Sequence, residues 1–149
     1  RNSLLRHHVT WSYRPLNLDA MQEAANSLIG KHDFSAFRAK HWQAKTPVRT
    51  VHAIEVFVRR QYVVGEFKAN AFLHHMVRNI VGALVDVGVG EKPIEWIGEL
   101  LSLADRSAGG RTAPPEGLAL INVTYPSEFG VTKEAGLPHV YRMTDSAGL

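Results

Sequence analysis

Lys68–Gly90 reads KANAFLHHMVRNIVGALVDVGVG, and the reading of this stretch decides the fold. Leu73, Val77, Ile80, Val81, Leu84 and Val87 recur at spacings of three and four. That period puts side chains on one stripe of an α-helix and predicts a helix over 70–87 with an apolar face turned to the core. Gly88 and Gly90 follow and stop it. A second face carries His74, His75, Arg78 and Gly82, with His74 one turn before Arg78 and Gly82 one turn after it. Glycine inside so strong a helix costs about 1 kcal/mol against alanine, which implies that something approaches its backbone closely. Arg78 beside it could grip a carboxylate or phosphate through two parallel hydrogen bonds. Otherwise its stem packs while its head reaches solvent or pairs with Asp86.

Working back from this helix, Thr50–Arg59 alternates, with Val51, Ala53, Glu55, Phe57 and Arg59 on one side and His52, Ile54, Val56 and Val58 on the other. This is the pattern of a half-buried strand. Gln61 sits at a tight turn and Tyr62–Ala69 returns as the second strand of a hairpin. Earlier still, Asn17 is placed to cap a helix over 18–29, which Gly30 ends. Val9–Tyr13 could form a short edge strand. Working forward, Pro93 suits the first turn of a helix over 94–103. The stretch 105–117 reads as a loop, and 118–125 as a short apolar strand closed by Pro126. Strands joined by a hairpin and interspersed with helices predict an α+β fold: an antiparallel or mixed sheet with helices mainly on one face. Residues 1–126 are expected to form the domain, and 127–149, with little periodicity, a tail or interface segment.

The totals exclude several classes. No apolar run approaches the ~20 residues that a membrane-spanning helix needs, and RNSLLRHHVTW has no apolar signal-peptide core. The absence of cysteine rules out disulfides, thiolate metal sites and cysteine nucleophiles. That leaves the cytoplasm as the default expectation. The eight histidines include no pair at i, i+4 beside an acidic residue. On a helix, adjacent His74 and His75 would point about 100° apart, a poor arrangement for shared ligation, so no metal is expected. No serine has a hydrolase context and no loop has the phosphate-binding P-loop pattern. Asp105, Arg106, Glu95 and Glu99 read as surface charges.

The net charge of +3 is concentrated. Between Lys31 and Arg49 lie five basic residues (Lys31, Arg38, Lys40, Lys45 and Arg49) and a single acid, Asp33. Phe34, Phe37 and Trp42 interleave with them, and the whole stretch reads as an ordered loop. Cations that neutralise phosphates and rings that stack on bases suit a nucleic-acid surface. Phe34 and Phe37, three apart, fit core anchors better. For Arg38, Lys40, Lys45 and Arg49 both RNA contact and simple solvation remain open.

At this point the residues resemble a known family. ANAFLHHMVRNIVG (69–82) resembles the signature helix of the tRNA pseudouridine synthase A family. HDFSAFR (32–38) and TPVRTV (46–51) resemble its central loop, and ADRSAGGRTAPPEGLALINVTYP (104–126) its closing loop and strand. The resemblance runs from about Leu16 to Pro126 in the family's order. It implies isomerisation of uridine to pseudouridine in the anticodon stem-loop of tRNA, without metal or organic cofactor, by a homodimer whose tRNA reaches across both subunits. It also implies that Arg78 pairs with the catalytic aspartate, with Arg38, Lys40, Lys45, Arg49, His74 and His75 facing RNA.

The aspartate belongs to an R-T-D-x-G-V-H-A motif in the family's N-terminal half. Asp19, Asp33, Asp86, Asp105 and Asp145 are the only aspartates here and none has that setting. The expectation is therefore the C-terminal half of an active synthase, inactive alone, with the nucleophile elsewhere. A non-catalytic RNA-binding module of the same fold is the alternative, and a purely structural dimerisation domain a third.

Overall fold

The computed structural model describes residue 5, residues 7–41 and residues 45–131. These fall into two compact units, one within Ser12–Pro114 and a second built from the described residues of Arg1–Trp11 and Pro115–Leu149.

The larger unit holds helices α1 (Leu18–Asn26), α2 (Met76–Gly88) and α3 (Trp96–Leu103) with strands β1 (Gly30–Asp33), β2 (Val48–Arg59) and β3 (Tyr62–Ala69). The strands form one antiparallel sheet in the order β1-β2-β3. The fold is α+β. Met21, Ala24, Ala25 and Leu28 from the α1 region, Ile80, Ala83, Leu84 and Val87 from α2, and Ile97 and Leu100 from α3 close over Val51 and Ile54 of β2. Asn17 caps α1 as expected, its Oδ1 accepting from the Ala20 N–H at 3.1 Å.

Val51 and Ile54 are both buried, although strict alternation puts them on opposite faces. A bulge resolves this. Val51 pairs with Ala69 but Ala53 with Lys68, so His52 is an extra residue on β2 and the side-chain parity flips there. β1 covers only the first four residues of β2. Beyond it Gln22 of α1 reaches the exposed edge, its Nε2 donating to Ile54 O at 3.0 Å and its Oε1 accepting from Val56 N at 2.8 Å. One side-chain amide thus satisfies a strand edge that would otherwise be open.

Other sequence expectations needed correction. Helix α2 starts at Met76, six residues later than its apolar period suggests. Asn70 is the cause: its Oδ1 accepts from Thr50 N and Ala71 N, both at 2.9 Å, which ties the chain to the sheet instead of starting a helical turn. His75 then takes a left-handed conformation, φ 61°, at the helix N-cap. The Lys31–Arg49 segment, expected to be a loop, contains most of β1 and a 3₁₀ turn, Ser35–Phe37. Phe34 and Phe37 are fully buried core anchors. Trp42 lies outside the described residues.

Neither 9–13 nor 118–125 forms a strand among the described residues. In the smaller unit, Thr10 Oγ1 donates to Glu116 O at 2.7 Å. Leu118, Leu120, Ile121, Val123 and Tyr125 are all exposed. Their apolar character suggested a strand, yet a strand needs a paired edge, and among the described residues none pairs with this segment.

Candidate RNA-facing site

The second face of α2 is covered by the segment that follows α3. A Cβ built on Gly82 would lie 1.9 Å from Arg111 O and 3.2 Å from Ala113 N. The backbone of 111–113 therefore rests directly on the helix, which accounts for the mid-helix glycine. The contact is reciprocal. Ala113 N donates to Arg78 O at 3.0 Å, and Arg78 Nε donates to Ala113 O at 2.7 Å. One turn further along, the buried Asp86 accepts from Arg111 Nη2 at 2.7 Å. Asp86 is thus paired with Arg111 and not with Arg78.

Arg78 is half-buried, and its Nη1 lies 3.2 Å from His75 Nε2. His75 and His74 do not diverge as helical neighbours would. Because His75 is left-handed, the two rings stack with centroids 4.0 Å apart and planes within 25°. Burial first, and then the charges of His74, Arg78 and Arg106, hold the His75 pKa below the usual histidine range. The lowered pKa favours the neutral ring, which can accept from Arg78. The backbone carbonyl of His74 accepts from Ala39 N at 3.0 Å, which fastens the basic segment to the start of α2.

Between these elements lies an open cavity of about 620 Å³, lined by the cations Lys40 and Arg106 and by the imidazoles of His41, His74 and His75. Among the described residues no carboxylate lines it. A smaller neighbour of about 260 Å³ is bordered by Arg38, Lys40 and Arg106, together with Asp105. The Asp105 carboxylate accepts from Ser107 Oγ at 2.6 Å and Ser107 N at 2.8 Å. Those two bonds, the hydroxyl's first, keep its pKa below the ordinary carboxylate range. Such walls concentrate positive potential where a polyanion could lie.

Arg38, Lys40, His74 and His75 are therefore brought to one region, and Arg78 adjoins it through His75 without itself lining either cavity. Lys45 and Arg49 are not among the residues that line either cavity. Arg49 lies on β2 and its Nη1 donates to Thr46 O and Val48 O, at 2.9 and 2.7 Å. Among the described residues no group of three His, Asp or Glu side chains is arranged to hold a metal ion, and no helix is long and apolar enough to cross a membrane.

Sequence reasoning took Arg106 for a surface charge and passed over Asn79 and Thr112. Arg106 is half-buried and Asn79 is only 4% exposed. A signal for Asn79 was available, since an amide sits there one residue from the apolar stripe of a buried helix and must find partners.

Comparison with known proteins agrees with the sequence resemblance. A family model described as tRNA pseudouridine synthase matches residues 24–126. A Pseudomonas aeruginosa protein named tRNA pseudouridine synthase A is 49% identical over 139 residues, covering 93% of this chain and 49% of the relative. Proteins of the same name from Methylococcus capsulatus and Shewanella baltica are each 47% identical, covering 94% and 91% of this chain and 52% of the relative in both cases. The chain spans about half the length of the curated relatives it matches.

Proposed function

The chain belongs to the tRNA pseudouridine synthase family, and we propose that it forms one wall of a tRNA-binding cleft and one side of the active site. The observation that carries this reading is Arg78, fixed on two sides by Ala113 O and His75 Nε2, where His75 is itself a wall of a cavity that Lys40 and Arg106 also line and that no carboxylate lines among the described residues. With Nε and Nη1 engaged, Nη2 remains to meet an anion.

In the reaction, the bond between the ribose and uracil N1 breaks, the base turns, and C5 joins the ribose carbon in its place; the C5 proton is lost to solvent and N1 gains one, so the product is an isomer of the substrate. The catalytic aspartate comes from the part of the relatives' length that this chain does not span. Arg78 pairs with it. A guanidinium within a few ångströms lowers a carboxylate pKa by about 1–3 units, which keeps it ionised and oriented at neutral pH. The target uridine has to leave its stack, at a cost of a few kcal/mol that contacts in a closed pocket offset.

Arg38, Lys40, His74 and His75 contact the RNA backbone around that pocket, and Lys45 and Arg49 act as outer phosphate contacts. The substrate is the anticodon stem-loop of tRNA, no cofactor takes part, and the assembly is a cytoplasmic homodimer. Residues 127–149 serve as a tail or interface segment; of these, 132–149 lie outside the described residues.

Anisotropy measured with fluorescent tRNA tests the RNA-facing claim. The chain is expected to bind with affinity that falls steeply as salt rises. Arg38→Ala and Lys40→Ala should each weaken binding for all tRNA sequences alike and reduce the logarithmic salt slope by about 1. Absent binding, or binding indifferent to salt, would point instead to a purely structural domain.

A further inference from the structure

We propose that Arg106 is a positioning residue that sets Arg78 and the basic segment in register with each other through Asn79 and Thr112. Its guanidinium curls over the loop 106–112. Nη1 donates to Gly110 O at 3.1 Å. Nη2 donates to Thr112 Oγ1 and to Asn79 Oδ1, both at 3.1 Å. The Thr112 hydroxyl donates in turn to Asn79 Oδ1 at 2.6 Å. The other end of the same amide, Nδ2, donates to Phe37 O at 2.6 Å. The direction of donation is therefore consistent from Arg106 to Phe37, and Asn79 is fixed with its oxygen toward two donors and its NH₂ toward a carbonyl.

Each end of this chain of bonds holds one half of the site. Phe37 ends the 3₁₀ turn, which its N–H closes by donating to Phe34 O at 2.9 Å, and Arg38 and Lys40 follow directly from it. Thr112 immediately precedes Ala113, whose N–H and carbonyl clasp Arg78. Gly109 fits the same picture, since a Cβ there would lie 2.8 Å from Arg106 Nη1 and 3.1 Å from Ala36 O. A planar fork can serve Gly110 and the Asn79–Thr112 pair at once, whereas an ammonium is a single point of charge. Arg106 also lines the cationic cavity, so its charge could act on a phosphate directly. Lysine at this position separates the two roles.

The experiment follows the Arg78 Nε–H resonance in ¹H–¹⁵N spectra of the 149-residue chain. With Arg106→Lys, exchange of that proton with water should accelerate about tenfold, the effect of losing roughly one charge-assisted hydrogen bond from the network, while the Ala83 and Leu84 amides keep their protection. Thr112→Val should speed it by a smaller factor, and Thr112→Ser should restore the wild-type rate. Unchanged Arg78 exchange in Arg106→Lys would overturn the proposal and leave Arg106 as a charge alone. Equal loss of protection at Ala83 and Leu84 would also overturn it, because the effect would then be general unfolding. The functional meaning of this register rests on the RNA reading above, so tRNA anisotropy is measured on the same samples. If Arg78 responds as expected but the wild-type chain binds no tRNA, the RNA reading fails and the positioning role stands.

Discussion

Arg78→Ala, in a chimera where this chain replaces the matching half of the Pseudomonas aeruginosa relative, is expected to slow single-turnover pseudouridine formation by roughly 10²-fold or more. Affinity for tRNA should change by less than about threefold. The asymmetry follows from where Arg78 sits. It is half-buried and tied at Nε to Ala113 O, so it offers one edge to an incoming group and little to the surface potential that attracts tRNA. Lys40 and Arg38 supply that potential. On the proposed reading, removing Arg78 would leave the catalytic carboxylate in the cleft without its partner. The charged form of that carboxylate then loses stabilisation where water is excluded and the interaction is strongest. Arg78→Lys keeps the charge but not the fork, so it should recover only part of the rate. Release of tritium from tRNA labelled at uracil C5, followed with enzyme in excess, reads the rate separately from binding. Equal losses of rate and affinity would make Arg78 an ordinary RNA contact, as in a non-catalytic binding module.

Gly82→Ala carries the largest expected effect on stability. Alanine is the better helix former by about 1 kcal/mol, so on propensity alone the substitution would stabilise α2. The new methyl, however, would sit 1.9 Å from Arg111 O, and backbone on both sides has nowhere to go without breaking the Arg78–Ala113 clasp. Overpacking of this kind costs about 1–3 kcal/mol, occasionally more, and should prevail over the propensity gain. Gly88→Ala is the control. Its Cβ would meet Met21 Sδ at 2.6 Å and Met21 Cγ at 2.8 Å, but these are side-chain atoms of an adaptable methionine and not backbone, so the loss should be smaller than at Gly82. Urea denaturation of the two variants gives the comparison. A stabilised Gly82→Ala protein would mean that 111–113 does not rest on α2.

Most of what the sequence made legible was periodic. The apolar stripe of α2, the capping of α1 by Asn17 and the hairpin of β2 and β3 all follow from spacing and local chemistry, and the structure has them. Expectations failed where a single side chain overrode the pattern. Asn70 holds its own backbone in the sheet and delays α2. The extra residue at His52 reverses the faces of β2. β1 is four residues long, too short for alternation to register. Gly82 advertised a close approach, but the sequence could not say that 111–113 makes it. Arg106 was misread for a related reason: its partners, Gly110, Thr112 and Asn79, include one that lies 27 positions away, and no local pattern announces a bond of that range. The catalytic meaning of Arg78 was never legible in spacing and came from resemblance alone.

On the proposed reading, the surface around Arg38, Lys40, His74, His75 and Arg78 is the one that faces tRNA. Zero-length photo-cross-linking tests it most directly, using an anticodon stem-loop RNA carrying thiouridine at its uridines, with the adducts located by peptide mass spectrometry. The expected adducts fall within 38–41 and 74–79, and excess unlabelled tRNA should abolish them. Adducts confined to the exposed tip of the β2–β3 hairpin, around Val58 and Val63, would mean that tRNA lies on another face of the domain.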